Sequence, residues 1–173
     1  MLDVLSTMLR SGILTEPLPN CAEASSVAVE TLQKDLWNIV GRALCIRHVD
    51  AGSCNGCELE IQALNNPYYN LEGAGVKFVA SPRHADLLLV TGPVSVNMEE
   101  ALRRTYDAVP DPKVVIAVGD CGACGGIFGT SYASRGRVAN IIPVNHTVSG
   151  CPPDPTALLM GILQTARAKL SRG

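Results

Sequence analysis

Three short stretches of this chain carry thiols in chemically suggestive surroundings. They are "CNGC" at 54–57, "GDCGAC" at 119–124 and "GCPP" at 150–153. The pair Cys54 and Cys57 fits half of a zinc site, a redox disulfide or part of an iron–sulfur site. Each loop also carries glycine or proline. Glycine lets backbone N–H groups come close to cluster sulfurs, and such hydrogen bonds help set a redox potential. Cys57 is expected to open a helix, whose positive end favours a thiolate. Proline after Cys151 removes a donor and stiffens its loop. Four thiolates, Cys54, Cys57, Cys121 and Cys151, suit either a [4Fe–4S] cluster or Cys₄ zinc. Structural zinc usually takes two short pairs. Cys121 with Cys124 would make the second pair and leave Cys151 over, so the spacing leaves both readings open.

The elements that must hold these thiols follow from periodicity. "ALCIRHV" (43–49) and "VKFVAS" (76–81) read as strands. "ADLLLVTGPV" (85–94) and "PKVVIAVGD" (112–120) are continuous apolar runs, as expected for strands buried on both faces. "NIIPVNHTV" (140–148) reads as a fifth strand. Helical patterns fall between them, at 58–64, 97–109 and 155–170. Alternating strands and helices predict an α/β parallel sheet with helices on both faces. The cysteines then fall after the first, fourth and fifth strands. Ligands of such sheets bind outside the carboxyl ends of the strands, so three separate loops can converge on one point. Residues 1–42 read as an N-terminal helical arm, a docking element, with helical spacing at 2–9 and 26–39. Residues 43–173 form the cysteine-bearing domain.

Bulk composition narrows the function. The 173 residues are 47% hydrophobic and only 17% charged, which predicts surface covered by a partner. A net charge of −2 gives no basic footprint, so nucleic acid is not expected as a partner. No apolar run approaches the roughly 20 residues that span a bilayer. The first residues lack the basic start of a secretory signal, and Asp3 interrupts their apolar stretch. A cytoplasmic location is therefore expected, where seven cysteines point to metal or redox chemistry rather than a disulfide framework.

Taken in order, "CNGCELE", "SPRHADLLLVTGPV", "GDCGACGG" and "GCPP" resemble the small subunit of [NiFe]-hydrogenases. The likeness is to the membrane-associated, energy-converting group that includes the formate hydrogenlyase small subunit. The homologous 20-kDa subunit of respiratory complex I is similar too. The resemblance runs roughly from Arg42 to Leu170. It implies a flavodoxin-like fold and one [4Fe–4S] cluster, the proximal cluster, held by Cys54, Cys57, Cys121 and Cys151. It also implies an oxidoreductase subunit that is not catalytic alone. Electrons would pass between the Ni–Fe centre of a separate large subunit and a ferredoxin-like iron–sulfur subunit. Membrane subunits would complete the complex and hold this chain on the inner face of the cell membrane.

The resemblance gives further residues their expected roles. Glu60 matches a glutamate that could relay protons near the large subunit. Arg83 matches an arginine near the cluster, where a guanidinium would raise the potential. Cys124 departs from the relatives' small residue and is a possible substitute ligand. Cys45 is expected to be a buried strand residue, and Cys21 in the arm has no assigned role. His48 and His84 are expected to be structural, and Asp50, Thr91, Gly92 and Gly119 to shape strand ends. Tyr132, Arg135 and Arg137 are expected to face the partner. Two alternatives lie within the resemblance: a complex I-type quinone-linked subunit with a terminal cluster, and the small subunit of a soluble NAD-reducing hydrogenase. The spaced pair Cys54 and Cys57 favours hydrogenase, because complex I uses adjacent cysteines. A zinc-stapled interaction protein is the reading outside it.

Overall fold

In the computed structural model of the chain, the described residues are 42–170, together with Arg10 and Lys34. The expected helices of the arm, and Cys21, lie outside them. Five strands form one sheet: β1 (Leu44–Asp50), β2 (Val76–Phe78), β3 (Leu87–Thr91), β4 (Val114–Val118) and β5 (His146–Val148). Their order is β2-β1-β3-β4-β5 and every pair is parallel. Helices α1 (Gly56–Ala63), α2 (Val96–Ala108), α3 (Gly119–Cys124) and α4 (Pro155–Leu170) connect or follow them. This is the flavodoxin-like doubly wound order, whose direction of winding reverses between β1 and β3.

Side-chain alternation divides the core into two layers. Leu44, Ile46, Leu87, Leu89, Ile116 and Val118 meet Ile61 of α1 and Leu158 and Ile162 of α4. Leu88, Val90, Val115 and Ala117 meet Leu102 of α2, with Val138 and Ile142. Every residue of β3 and β4 is buried, which is why both read as unbroken apolar runs. Each such leucine contributes about 1.5–3 kcal/mol by burial. Ser95 caps α2, its Oγ accepting from Met98 N at 3.3 Å.

The observed strands are shorter than the sequence patterns. The expected strand at 140–148 pairs only over His146–Val148. Val138–Asn140 form a 3₁₀ turn instead, and Ile141 and Ile142 pack beneath α2 as turn residues. Pro143, with no N–H, cannot extend the ladder. The glycine-rich run after β4, expected as a loop, is the single-turn helix α3.

Register sets the site. Asp50 pairs with Thr91, Thr91 with Val118, and Val118 with Val148. The carboxyl ends of β1, β3, β4 and β5 therefore lie in one row, with the three thiol loops along it.

Candidate metal centre

The first loop is turned by Asp50, whose Oδ1 accepts from Gly52 N and Ser53 N, both at 2.8 Å. Asn55 takes a left-handed φ of 72° and delivers the chain into α1. Cys54 is left exposed, and Cys57, in the first turn of α1, is buried. At the end of β4 the chain turns through Gly119, with φ of +78°. A Cβ there would lie 2.7 Å from Cys57 Sγ and 3.4 Å from Gly150 O. A Cβ on Gly126 would lie 2.8 Å from Cys121 Sγ. Both positions need glycine because sulfur occupies the space. The third loop is clasped to the second. Asp120 N donates to Gly150 O, and Gly150 N donates to Asp120 Oδ1, each at 2.9 Å. Gly56 completes the contact, lying against both Cys54 and Pro152.

The four thiols sense one another. Cys57 is pushed up to about 12, first by burial, then by the charges of Glu58, Cys121, Cys54 and Cys151. Cys121 is also raised, by burial and then by Cys151, Cys54, Asp120 and Cys124. Cys57 does open a helix as expected. Without a cation, however, burial and neighbouring negative charge outweigh the helix end. A bound metal centre reverses that balance, because its positive charge draws thiols into the thiolate form. The donor set fits an iron–sulfur cluster: four free thiols with glycine at the sulfurs. Among the described residues, no group of three or more His, Cys, Asp or Glu is arranged to hold a single metal ion.

The remaining expected residues are placed as follows. Cys124 is exposed and its thiol donates to Asp120 O at 3.1 Å, so it sits beside the site. Glu60 is half-buried on α1. Arg83 and His84 are exposed in the 3₁₀ turn Pro82–His84, which packs against α2. Arg83 makes no hydrogen bond or ion pair among the described residues. Cys45 is half-buried rather than buried. Arg135 is occupied by Glu99 at 2.7 Å and Arg137 by Asn140 at 3.1 Å.

Glu58 is a residue that sequence reasoning did not single out. Its side chain is only 8% exposed, and neither carboxylate oxygen has a hydrogen-bond partner among the described residues. The nearest group of opposite potential charge is His48, 3.8 Å away. His48 Nε2 lies 2.9 Å from Thr91 Oγ1. The same threonine hydroxyl lies 3.4 Å from Val49 O. Burial pulls His48 below its ordinary value, against the upward pull of Glu58 and then Asp50. A signal for Glu58 was present in the sequence: it stands three residues before Ile61, on the buried face.

Large apolar side chains are exposed around this end of the sheet. Leu59 follows Glu58, and Ile127, Phe128 and Tyr132 follow the glycines after Cys124. Ile127 is 95% and Tyr132 98% exposed, more than a solvated surface favours for such residues.

Comparison with known proteins places these features. The family described as NADH ubiquinone oxidoreductase, 20 Kd subunit, matches residues 54–165. The protein described as probable membrane-bound hydrogenase subunit mbhJ of Pyrococcus furiosus is 46% identical, over 80% of this chain and 84% of its own length. Formate hydrogenlyase subunit 7 of Escherichia coli is 41% identical, over 84% of this chain and 56% of its own. An NADH-quinone oxidoreductase subunit of Herpetosiphon aurantiacus is 47% identical, over 62% of this chain and 60% of its own. A solved chain from the structure of the membrane-bound sulfane sulfur reductase, an archaeal respiratory membrane complex, superposes with a TM-score of 0.66 and 32% identity. That match covers 81% of this chain and 77% of the other.

Proposed function

Because this chain belongs to the NADH ubiquinone oxidoreductase 20 Kd subunit family, we propose that it is the electron-transfer subunit of a membrane-bound hydrogenase-type complex. The observation that carries this reading is the convergence of Cys54, Cys57, Cys121 and Cys151 at the carboxyl edge of the sheet. These four would hold one [4Fe–4S] cluster, which supplies one-electron transfer. The chain's own residues do the rest. Burial of Cys57 keeps water from one side of the site. Gly119 and Gly126 leave room beside two of the sulfurs. Asp120 locks the second and third thiol loops together. Glu60, half-buried on α1, is the candidate proton relay, and Arg83 the candidate residue for tuning the cluster from outside.

The exposed Leu59, Ile127, Phe128 and Tyr132 ring this end and are suited to a protein partner. In the proposal that partner is a large subunit holding the Ni–Fe centre, and a ferredoxin-like subunit exchanges the electrons. No helix among the described residues is long and apolar enough to cross a membrane. Peripheral attachment to the inner membrane face through the complex is the corresponding proposal.

A quinone-linked role is the second reading, favoured by the 47% identity to an NADH-quinone oxidoreductase subunit. The spaced cysteine pair keeps it second. The deciding experiment purifies the tagged chain anaerobically with whatever copurifies. Iron, nickel and hydrogen-dependent viologen reduction are then assayed together. All three together establish the hydrogenase reading. Iron without nickel or hydrogen activity, beside an intact large partner, moves the assignment to the quinone-linked relatives. Zinc in place of iron overturns both.

A further inference from the structure

Cys124 is a thiol that the proposed cluster leaves unused. It closes the stretch "CGAC" at 121–124, a C-x-x-C pair between the parallel strands β4 and β5. In that setting the spacing is typical of a dithiol that cycles through a disulfide. One turn of α3 holds both residues, three positions apart. Helix geometry puts their Cα atoms about 5 Å apart, inside the window of roughly 4.4–6.8 Å that disulfides span. Gly122 marks the inner face of α3, where a Cβ would meet Val90 O at 3.5 Å. Cys124 lies about 200° around the helix from it and is exposed. Its thiol points back along the axis and donates to Asp120 O at 3.1 Å, on the carbonyl bonded to the Cys121 nitrogen. The side chain therefore already lies over the turn that carries Cys121. Both thiols are free, and Cys121 is half-buried. The pair Cys54 and Cys57 is less suited, because burial shields Cys57 from an oxidant in solution.

We propose that Cys124 is the redox partner of Cys121: in the cluster-free chain the two close a reversible disulfide, with a low-molecular-weight disulfide such as oxidised glutathione as the oxidant. Cys124 Sγ attacks one sulfur of the oxidant, one thiol leaves, and a mixed disulfide forms. Cys121 Sγ then attacks Cys124 Sγ, and the second thiol leaves. The protein gives up two electrons and two protons, and the oxidant receives them as two thiols. A dithiol reductant runs the exchange backward. One consequence rests on the cluster reading above. Tied to Cys124, Cys121 is withdrawn from the ligand set, so a cluster enters only the reduced chain. The disulfide also keeps Cys121 on a reversible rung of oxidation, short of sulfinic acid.

The test uses the full chain, produced under iron limitation and kept reduced until use. It is equilibrated with mixtures of oxidised and reduced glutathione, quenched in acid, alkylated and digested with trypsin. Cys121 and Cys124 fall on one peptide, Val114–Arg135, which holds no other cysteine. As the oxidised share rises, the doubly alkylated peptide should give way to an unalkylated one, lighter by two hydrogens than the free dithiol. C124S should abolish that species, and C54S and C151S should leave its midpoint unchanged. At the lowest oxidised share that fully converts this peptide, the wild-type chain should take up several-fold less iron from ferrous iron and sulfide than the reduced chain. Under the same conditions C124S should load as well as its own reduced form. Two alkyl groups at every mixture, glutathione retained separately on each cysteine, or a preferred bond from Cys121 to Cys54, Cys57 or Cys151 overturns the disulfide. Equal iron uptake by the converted and the reduced wild-type chain overturns the withdrawal of Cys121. Absence of iron uptake by the reduced chain counts against the cluster reading instead, and the peptide masses still decide the disulfide.

Discussion

Gly119 stands against the sulfur of Cys57, so close that a Cβ on it would sit 2.7 Å from Sγ. Its φ of +78° is a conformation that side chains with a Cβ also resist. Gly119→Ala should therefore combine backbone strain with a steric strike on a candidate ligand. The expected cost is about 1–3 kcal/mol in urea unfolding, together with a lower iron content. Gly129 supplies the contrast. Its φ is +53°, yet a Cβ there meets nothing within 4 Å. Gly129→Ala should show the strain alone and keep its iron.

The ligand set makes a sharper prediction. Serine at Cys54, Cys57, Cys121 or Cys151 should each lower the iron per chain and bleach the brown absorption of a cluster. Serine at Cys124 or Cys45 should leave both intact. If C124S bleaches and C121S does not, Cys124 is the ligand from α3, and its hydrogen bond to Asp120 O belongs only to the metal-free chain.

Glu58 is a buried carboxylate with no hydrogen bond among the described residues, so apolar replacement should not harm the fold. Glu58→Met should stabilise the cluster-free chain by about 1–3 kcal/mol in thermal or urea unfolding. The same change removes the first of the charges that raise Cys57, after burial itself. Alkylation of Cys57 at alkaline pH should accordingly speed up, as mass spectrometry of the modified peptide would show.

His48 gives a pH signature. Burial lowers its pKa in the fold from the ordinary value of 6.5. The unfolded chain then binds the proton more readily than the folded one. Stability from this residue is present above pH 6.5 and declines as the pH falls below it. His48→Gln should flatten the slope of stability against pH in that acid range. An unchanged slope would show that the carboxylates, not His48, set the acid limit.

Much of the architecture was legible before the structure. Leu87–Thr91 and Val114–Val118 are apolar without interruption because helices cover both faces, and that pattern has few other causes. The thiol loops were legible because they follow strands. What the sequence hid was partnership across elements. Ile141 and Ile142 look like strand residues, yet their burial comes from α2 rather than from pairing. Gly119–Cys124 looks like a loop, yet the turn at Gly119 lets one helical turn form. Glu58 looks like a surface residue of α1, and only the approach of His48 from β1 and the buried first turn reveal otherwise.

The pair of hydrogen bonds between Asp120 and Gly150 has a consequence for assembly. Cys121 and Cys151 each adjoin one of these residues, so in the proposed site the clasp would make them two arms of a single chelating ligand. Whatever engages one thiol meets the other at an effective concentration set by the clasp rather than by loop diffusion. Cys54, by contrast, rides on a separate turn, held by Asp50 and by the bonds of Ala51 to Thr91 and Ser95. The proposed site thus joins a clasped pair of thiols to a separately turned pair, with Cys54 and Cys151 both exposed.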